Sequence, residues 1–78
     1  MIGYKKFFNT DLYSILNISE KTSADEIKRA FRSLAKKYHP DKNIGNKEAE
    51  NKFKEIAGAY EILGNAIKKK EYDSYRVN

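Results

Sequence analysis

From Ile27 to Tyr38 the apolar residues are Ile27, Ala30, Phe31, Leu34, Ala35 and Tyr38. Their i, i+3, i+4, i+7, i+8, i+11 spacing predicts one face of an amphipathic helix over residues 24–38. At 3.6 residues per turn these positions fill an arc of ~140°. Lys28, Arg29, Arg32 and Lys36 fall on the opposite side, with Lys37 on one flank. Ser23 followed by Glu26 is a capping box that marks the start. Pro40 marks the stop, because it disfavours helical backbone at His39 and has no N–H to donate. His39-Pro40-Asp41 is therefore expected at the mouth of a loop, at the carboxyl end of a helix with a basic outer face.

A second long helix is expected over residues 47–63, with Asn46 as its cap. Ala49, Phe53, Ile56, Ala57, Tyr60 and Leu63 would face inward. Gly64 suits the left-handed position after a helix, and Asn65 can cap a fourth helix from Ala66 to about Tyr72. Ahead of the long helices, residues 11–16 read as a short one, with Asp11 or Thr10 as cap and Leu12, Tyr13 and Leu16 inward. Asn17 ends it, since asparagine tolerates left-handed backbone, and Ile18 is expected in the core. No stretch alternates well enough to be a strand. The fold class is all-α: two long antiparallel helices share an apolar seam, with a short helix at each end.

Seventy-eight residues make one domain with one small core. A chain of this length buries only about 60–65% of its unfolded surface. Without cysteine it has no disulfide framework and no thiolate metal site, and one histidine cannot build a zinc cluster. No apolar run is long enough for a membrane span or signal-peptide core. Sixteen basic against eleven acidic residues give a net charge of +5. That balance favours an acidic partner without choosing among protein, nucleic acid and anionic membrane.

His39 and Asp41 are the residues that invite a catalytic reading. Neighbours two apart in a loop lack the pocket, nucleophile and orienting third group that catalysis needs. An enzyme and a metal site are both set aside. Lys68 to Lys70 could bind phosphate, but a solvated short helix explains them as well. Residues 1–10 carry Ile2, Tyr4, Phe7 and Phe8 around Lys5 and Lys6. They are expected to form an arm whose aromatics fold onto the domain. The sharper alternative is contact with a membrane surface or with another part of a longer protein. Four apolar groups and two lysines are too few for a stable anchor.

A basic helix ending Tyr38-His39-Pro40-Asp41-Lys42 resembles the J domain of the DnaJ-type heat-shock co-chaperones. Asp11-Leu12-Tyr13-Ser14-Ile15-Leu16 resembles the family's opening Asp-Tyr-Tyr-x-x-Leu. Residues 52–56 and 59–63 resemble its third helix, and Tyr72-Asp73 the close of its fourth. Asn17 stands where the family usually has glycine, Phe31 where many members have tyrosine, and Ser33 where a basic residue is common. The resemblance runs from about Asp11 to Tyr75. It divides the chain into an arm (1–10), the domain (11–75) and a tail (76–78).

The resemblance implies a module that binds a DnaK-type seventy-kilodalton heat-shock chaperone and stimulates its ATP hydrolysis and substrate capture. Lys28, Arg32 and Lys36 would steer it. Asp41 would pair with an arginine at the junction of the partner's two domains, and His39 and Pro40 would fix the loop. Asn43 and Lys54 would border the contact. The module itself would need no cofactor, since the partner binds ATP, and it would be a monomer whose contact is weak and transient. The rival class is nucleic-acid binding through the basic helix. A helix-turn-helix has a turn of three or four residues, about half the length from His39 to Gly45. A soluble, reducing-compatible module is expected, with the cytoplasm as its place. No Gly/Phe-rich linker, zinc module or substrate domain accompanies it, so the chain is expected to be either a fragment or a minimal member. The client is not written in these residues.

Overall fold

The computed structural model describes residues 11–77. It has four α-helices: α1 (Leu12–Ile15), α2 (Ala24–Tyr38), α3 (Lys47–Leu63) and α4 (Ala66–Val77). A 3-10 turn, Pro40–Lys42, lies between α2 and α3. No strand occurs among the described residues. The expectation for residues 1–10 lies outside them.

The helix ends follow the capping residues. Asp11 accepts the Ser14 N–H at the start of α1. Ser23 Oγ accepts the Glu26 N–H and its hydroxyl donates to the Glu26 carboxylate, so the box closes hydroxyl to carboxylate. Asn46 accepts from Ala49, and Asn65 from Ile67 and Lys68. Asn17 takes the left-handed conformation at φ 56°, and Ile18 packs half-buried against the core.

α2 and α3 run antiparallel: Phe31 stacks on Tyr60 at 4.1 Å, whereas His39, eight residues further along, meets Phe53, seven residues back. The inward face of α2 is the one its spacing predicts, although only Ile27 is fully buried. On α3 the expected inward set needs correction. Ala57 is exposed, while Ala59 and Ile62 are buried. The reason is that α3 packs against all three other helices. Its apolar arc is therefore wider and rotated from the one that faces α2 alone. Burying Ile62 completely is worth about 1.5–3 kcal/mol.

Two further expectations fail at the end of the chain. Gly64 is not left-handed; its φ is −85°. A Cβ there would lie 2.7 Å from the Tyr60 carbonyl oxygen and 2.8 Å from its ring. Glycine is needed for close approach rather than for backbone freedom. The fourth helix runs to Val77, not to about Tyr72. Its last turns are held by side chains from elsewhere. The Tyr72 hydroxyl accepts the buried Leu12 N–H at 3.0 Å. The Arg76 guanidinium lies 5.1 Å from the Tyr13 ring centre and 5.6 Å from that of Tyr72, with Asp11 and Glu20 at 3.9 and 3.7 Å.

Candidate functional site

The turn after α2 is built by local necessity. Pro40 places His39 in extended backbone (φ −58°, ψ 136°), which ends the helix. The stranded carbonyls at that end find a donor in Asn43, whose side-chain amide bonds Lys37 O at 2.9 Å and His39 O at 3.0 Å. Pro40 opens the 3-10 turn, and the Lys42 N–H donates to His39 O. The chain then reverses through Asn43 to Asn46, closed by the Asn46 N–H on Asn43 O. Gly45 sits there at φ 76°, which glycine adopts without strain.

His39 caps the 3-10 turn with its ring. Nδ1 accepts the Asp41 N–H at 3.1 Å. The Asp41 carboxylate lies 3.8 Å from the same nitrogen. One nitrogen cannot both accept that N–H and carry a proton toward the carboxylate. The shorter contact has hydrogen-bond length and the longer does not, so the contact that shapes the turn is the one to the Asp41 backbone. Phe53 of α3 meets the imidazole edge-on, ring centres 5.5 Å apart. The Asp41 side chain is 91% exposed and aims outward.

The remaining sequence-chosen residues divide into two kinds. Lys28, Arg32 and Lys36 stand exposed along α2 and form no ion pair with any other described residue. They make one stripe about 12 Å long, at 1.5 Å per residue, that leads toward the turn. Asn43 has its amide spent inside the turn, so its visible work is to hold the loop. Lys54 is exposed on α3 and pairs with Glu50 at 3.4 Å. The turn thus gathers His39, Pro40, Asp41 and Asn43, with the cations arriving from two helices. Two neighbours were not singled out by sequence. Phe53 reads as a seam residue, and nothing in its spacing says that it braces an imidazole. Ile44 is 88% exposed on the same loop.

The lysine cluster of α4 loses its appeal as a phosphate site. Lys68 pairs with Glu61 at 3.5 Å and Lys69 with Asp73 at 3.1 Å. Among the described residues, no group of three His, Cys, Asp or Glu side chains could hold a metal ion. No described helix is long and apolar enough to cross a membrane.

Curated relatives match the same region. The Chaperone protein DnaJ of Finegoldia magna is 60% identical over 65 residues, covering 83% of this chain and 18% of that protein. That of Clostridium acetobutylicum is 58% identical over 67 residues (86% and 18%), and that of Campylobacter hominis 56% over 66 (85% and 18%). This chain thus spans under a fifth of the length of these relatives. Residues 11–73 match the DnaJ domain, from the capping Asp11 of α1 to the Asp73 that pairs with Lys69, and the chain belongs to the DnaJ-domain family.

Proposed function

We propose that this chain is a co-chaperone module that docks on the ATPase of a DnaK-type seventy-kilodalton heat-shock chaperone and stimulates its ATP hydrolysis and substrate capture. One observation carries the reading: an outward Asp41 carboxylate stands on an internally braced turn, at the end of a basic stripe that forms no ion pair among the described residues. Lys28, Arg32 and Lys36 steer the encounter with an acidic surface, where long-range charge acts mainly on rate and orientation. Asp41 then pairs with an arginine between the partner's domains. His39 and Pro40 hold the turn in shape, and Lys54 borders the contact. The module does no chemistry of its own and holds no cofactor. It works by binding one state of its partner better than another. A small polar contact of this kind is weak and transient, with a Kd on the order of micromolar. The acting unit is residues 11–75, as a monomer.

Single-turnover ATP hydrolysis by a DnaK-type chaperone tests the proposal. Adding the chain is expected to raise the rate in a saturable way. Asp41→Asn is expected to leave it at the basal value even at saturating concentration. If wild type has no effect on the rate, or if saturating Asp41→Asn restores full stimulation, the proposal is overturned.

A further inference from the structure

We infer that Ile44 is an apolar anchor for the partner: its side chain, displayed on the loop that carries Asp41, seats against an apolar patch of the partner's ATPase beside the arginine that Asp41 meets. This rests on the docking role proposed above, which is otherwise written in charges alone.

Each neighbour of Ile44 has a task in the fold. Asn43 spends its amide on the carbonyls of Lys37 and His39, and the Asn46 side chain caps α3. The Asn46 N–H on Asn43 O closes residues 43–46 as a four-residue turn. Ile44 takes its second place, and Gly45, at φ 76°, its third. That is the pattern of a type II turn, whose second place favours proline and asks for no apolar side chain. Ile44 is 88% exposed, more than any other large apolar residue among those described. A β-carbon added at Gly45 would likewise meet nothing within 4 Å. The outer side of the turn is open, and the isoleucine there leaves in water an apolar area that the fold does not use.

A single exposed apolar residue is ordinary on a protein surface. Place sets this one apart. Ile44 follows Asp41 by three residues, so their α-carbons are no more than about 11 Å apart, and the Asn43 N–H on Pro40 O holds the intervening backbone in shape. A surface that meets Asp41 closely therefore lies within reach of Ile44. Little ordering is lost on docking, because the backbone on both sides is already fixed. An apolar contact at that distance also keeps water from the Asp41–arginine pair, where weaker screening strengthens the attraction. Charge selects the same occupant. The stripe of Lys28, Arg32 and Lys36 leads an acidic surface to this end of α2, whereas a second copy of this chain, with a net charge of +5, is repelled. Ile67 supplies the contrast. It is 75% exposed at the start of α4, and α3, 17 residues or about 25 Å long, separates it from the turn.

The concentration of the chain that half-saturates stimulation of a DnaK-type ATPase measures the contact. Removing apolar carbon is expected to raise it in steps, about fourfold for Ile44→Val and at least about tenfold for Ile44→Ala. Stimulation at saturation is expected to keep its wild-type value, unlike that of Asp41→Asn. Ile44→Leu, which keeps the carbon count, is expected to stay within about threefold of wild type. Ile44→Lys separates an apolar seat from charge. One more cation would tighten a purely electrostatic contact, whereas an apolar seat is expected to lose at least about tenfold. Ile67→Ala is expected to leave the half-saturating concentration unchanged. Circular dichroism and melting are expected to match wild type throughout, since the substituted side chains are exposed. A wild type that stimulates while Ile44→Ala half-saturates at the same concentration overturns the anchor and leaves the docking role standing. So does a tighter Ile44→Lys, an equal shift in Ile67→Ala, or a wild-type dimer in sedimentation that Ile44→Ala disperses. A wild type that stimulates nothing overturns the docking role itself, and the anchor with it.

Discussion

The α1–α4 junction and the turn after α2 use similar side chains to opposite ends. At the junction Asp11, Lys69, Asp73 and Arg76 are answered from within. The Tyr13 hydroxyl donates to Asp73 at 2.5 Å, Lys69 pairs with the other oxygen of Asp73, and Arg76 lies between two rings and two carboxylates. Asp11 is held below the ordinary carboxylate range chiefly by the Ser14 hydroxyl, against a smaller opposing effect of burial. At the turn the backbone is satisfied while the charges are not. Asp41 points into solvent, and the stripe leading to it finds no acid among the described residues. Surface ion pairs are worth little one by one. The contrast is therefore not a contrast in stability. It separates charges that position this chain's own helices from charges left available for something else.

The comparison can be broken hardest in the core beneath it. Ile62 is wholly buried on α3, so Ile62→Ala is expected to cost about 2–5 kcal/mol in urea denaturation, a large share of a small domain's stability. A loss below about 0.5 kcal/mol would place Ile62 outside the packed region. Next comes Tyr72→Phe, which keeps the ring and strands the buried Leu12 N–H. The expected cost is about 1–3 kcal/mol, and the Leu12 amide should exchange faster with deuterium than in wild type.

Tyr13 gives a smaller effect with a pH signature. Burial, then the hydrogen bond to Asp73 and the Asp73 charge, hold its hydroxyl far above the ordinary value of 10.0. A raised folded-state value means that the stabilisation is complete below pH 10.0. It is lost as pH rises past that value, because the unfolded tyrosine then gives up its proton first. Tyr13→Phe is expected to cost about 0.5–1.5 kcal/mol at neutral pH. It should also make melting less sensitive to pH above 10.0, and identical alkaline slopes in the two proteins would contradict this account. The smallest stability effect belongs to the stripe. Arg32→Glu should change the unfolding free energy by no more than about 0.5 kcal/mol, yet weaken binding to the proposed DnaK-type partner, as added salt is expected to weaken wild type. Unchanged affinity at low salt would make the stripe ordinary solvated surface.

Most helix boundaries were legible because the residues that set them act locally. Ser23, Asn46 and Asn65 each accept N–H groups within three residues, and Pro40 acts on its own neighbour. The core register of α2 was legible for a similar reason, since its apolar arc is narrow. α3 was harder, because a helix packed against three others buries residues that a one-sided pattern assigns to solvent. Ala59 and Ile62 are the result. The length of α4 was not legible at all. Arg76 is anchored by Tyr13, Asp11 and Glu20, and no local rule relates residues that far apart. Within the candidate site, the sequence marked the tripeptide but not the direction of its hydrogen bonds. That Asn43 serves the end of α2 depends on how the turn folds back, and that Phe53 braces His39 depends on how α2 and α3 meet, neither of which the spacing encodes.

The bond from Leu12 to the Tyr72 hydroxyl links residues 60 apart, whereas α2 and α3 are joined by residues 39–46 alone. Closing the longer span costs about 2 kcal/mol more chain entropy than closing the shorter one. That difference sets an order of events. The α2–α3 hairpin is expected to form first, with α1 and α4 docking onto it later. Chevron analysis would show it: Tyr72→Phe should speed unfolding, while truncations between α2 and α3 should slow folding.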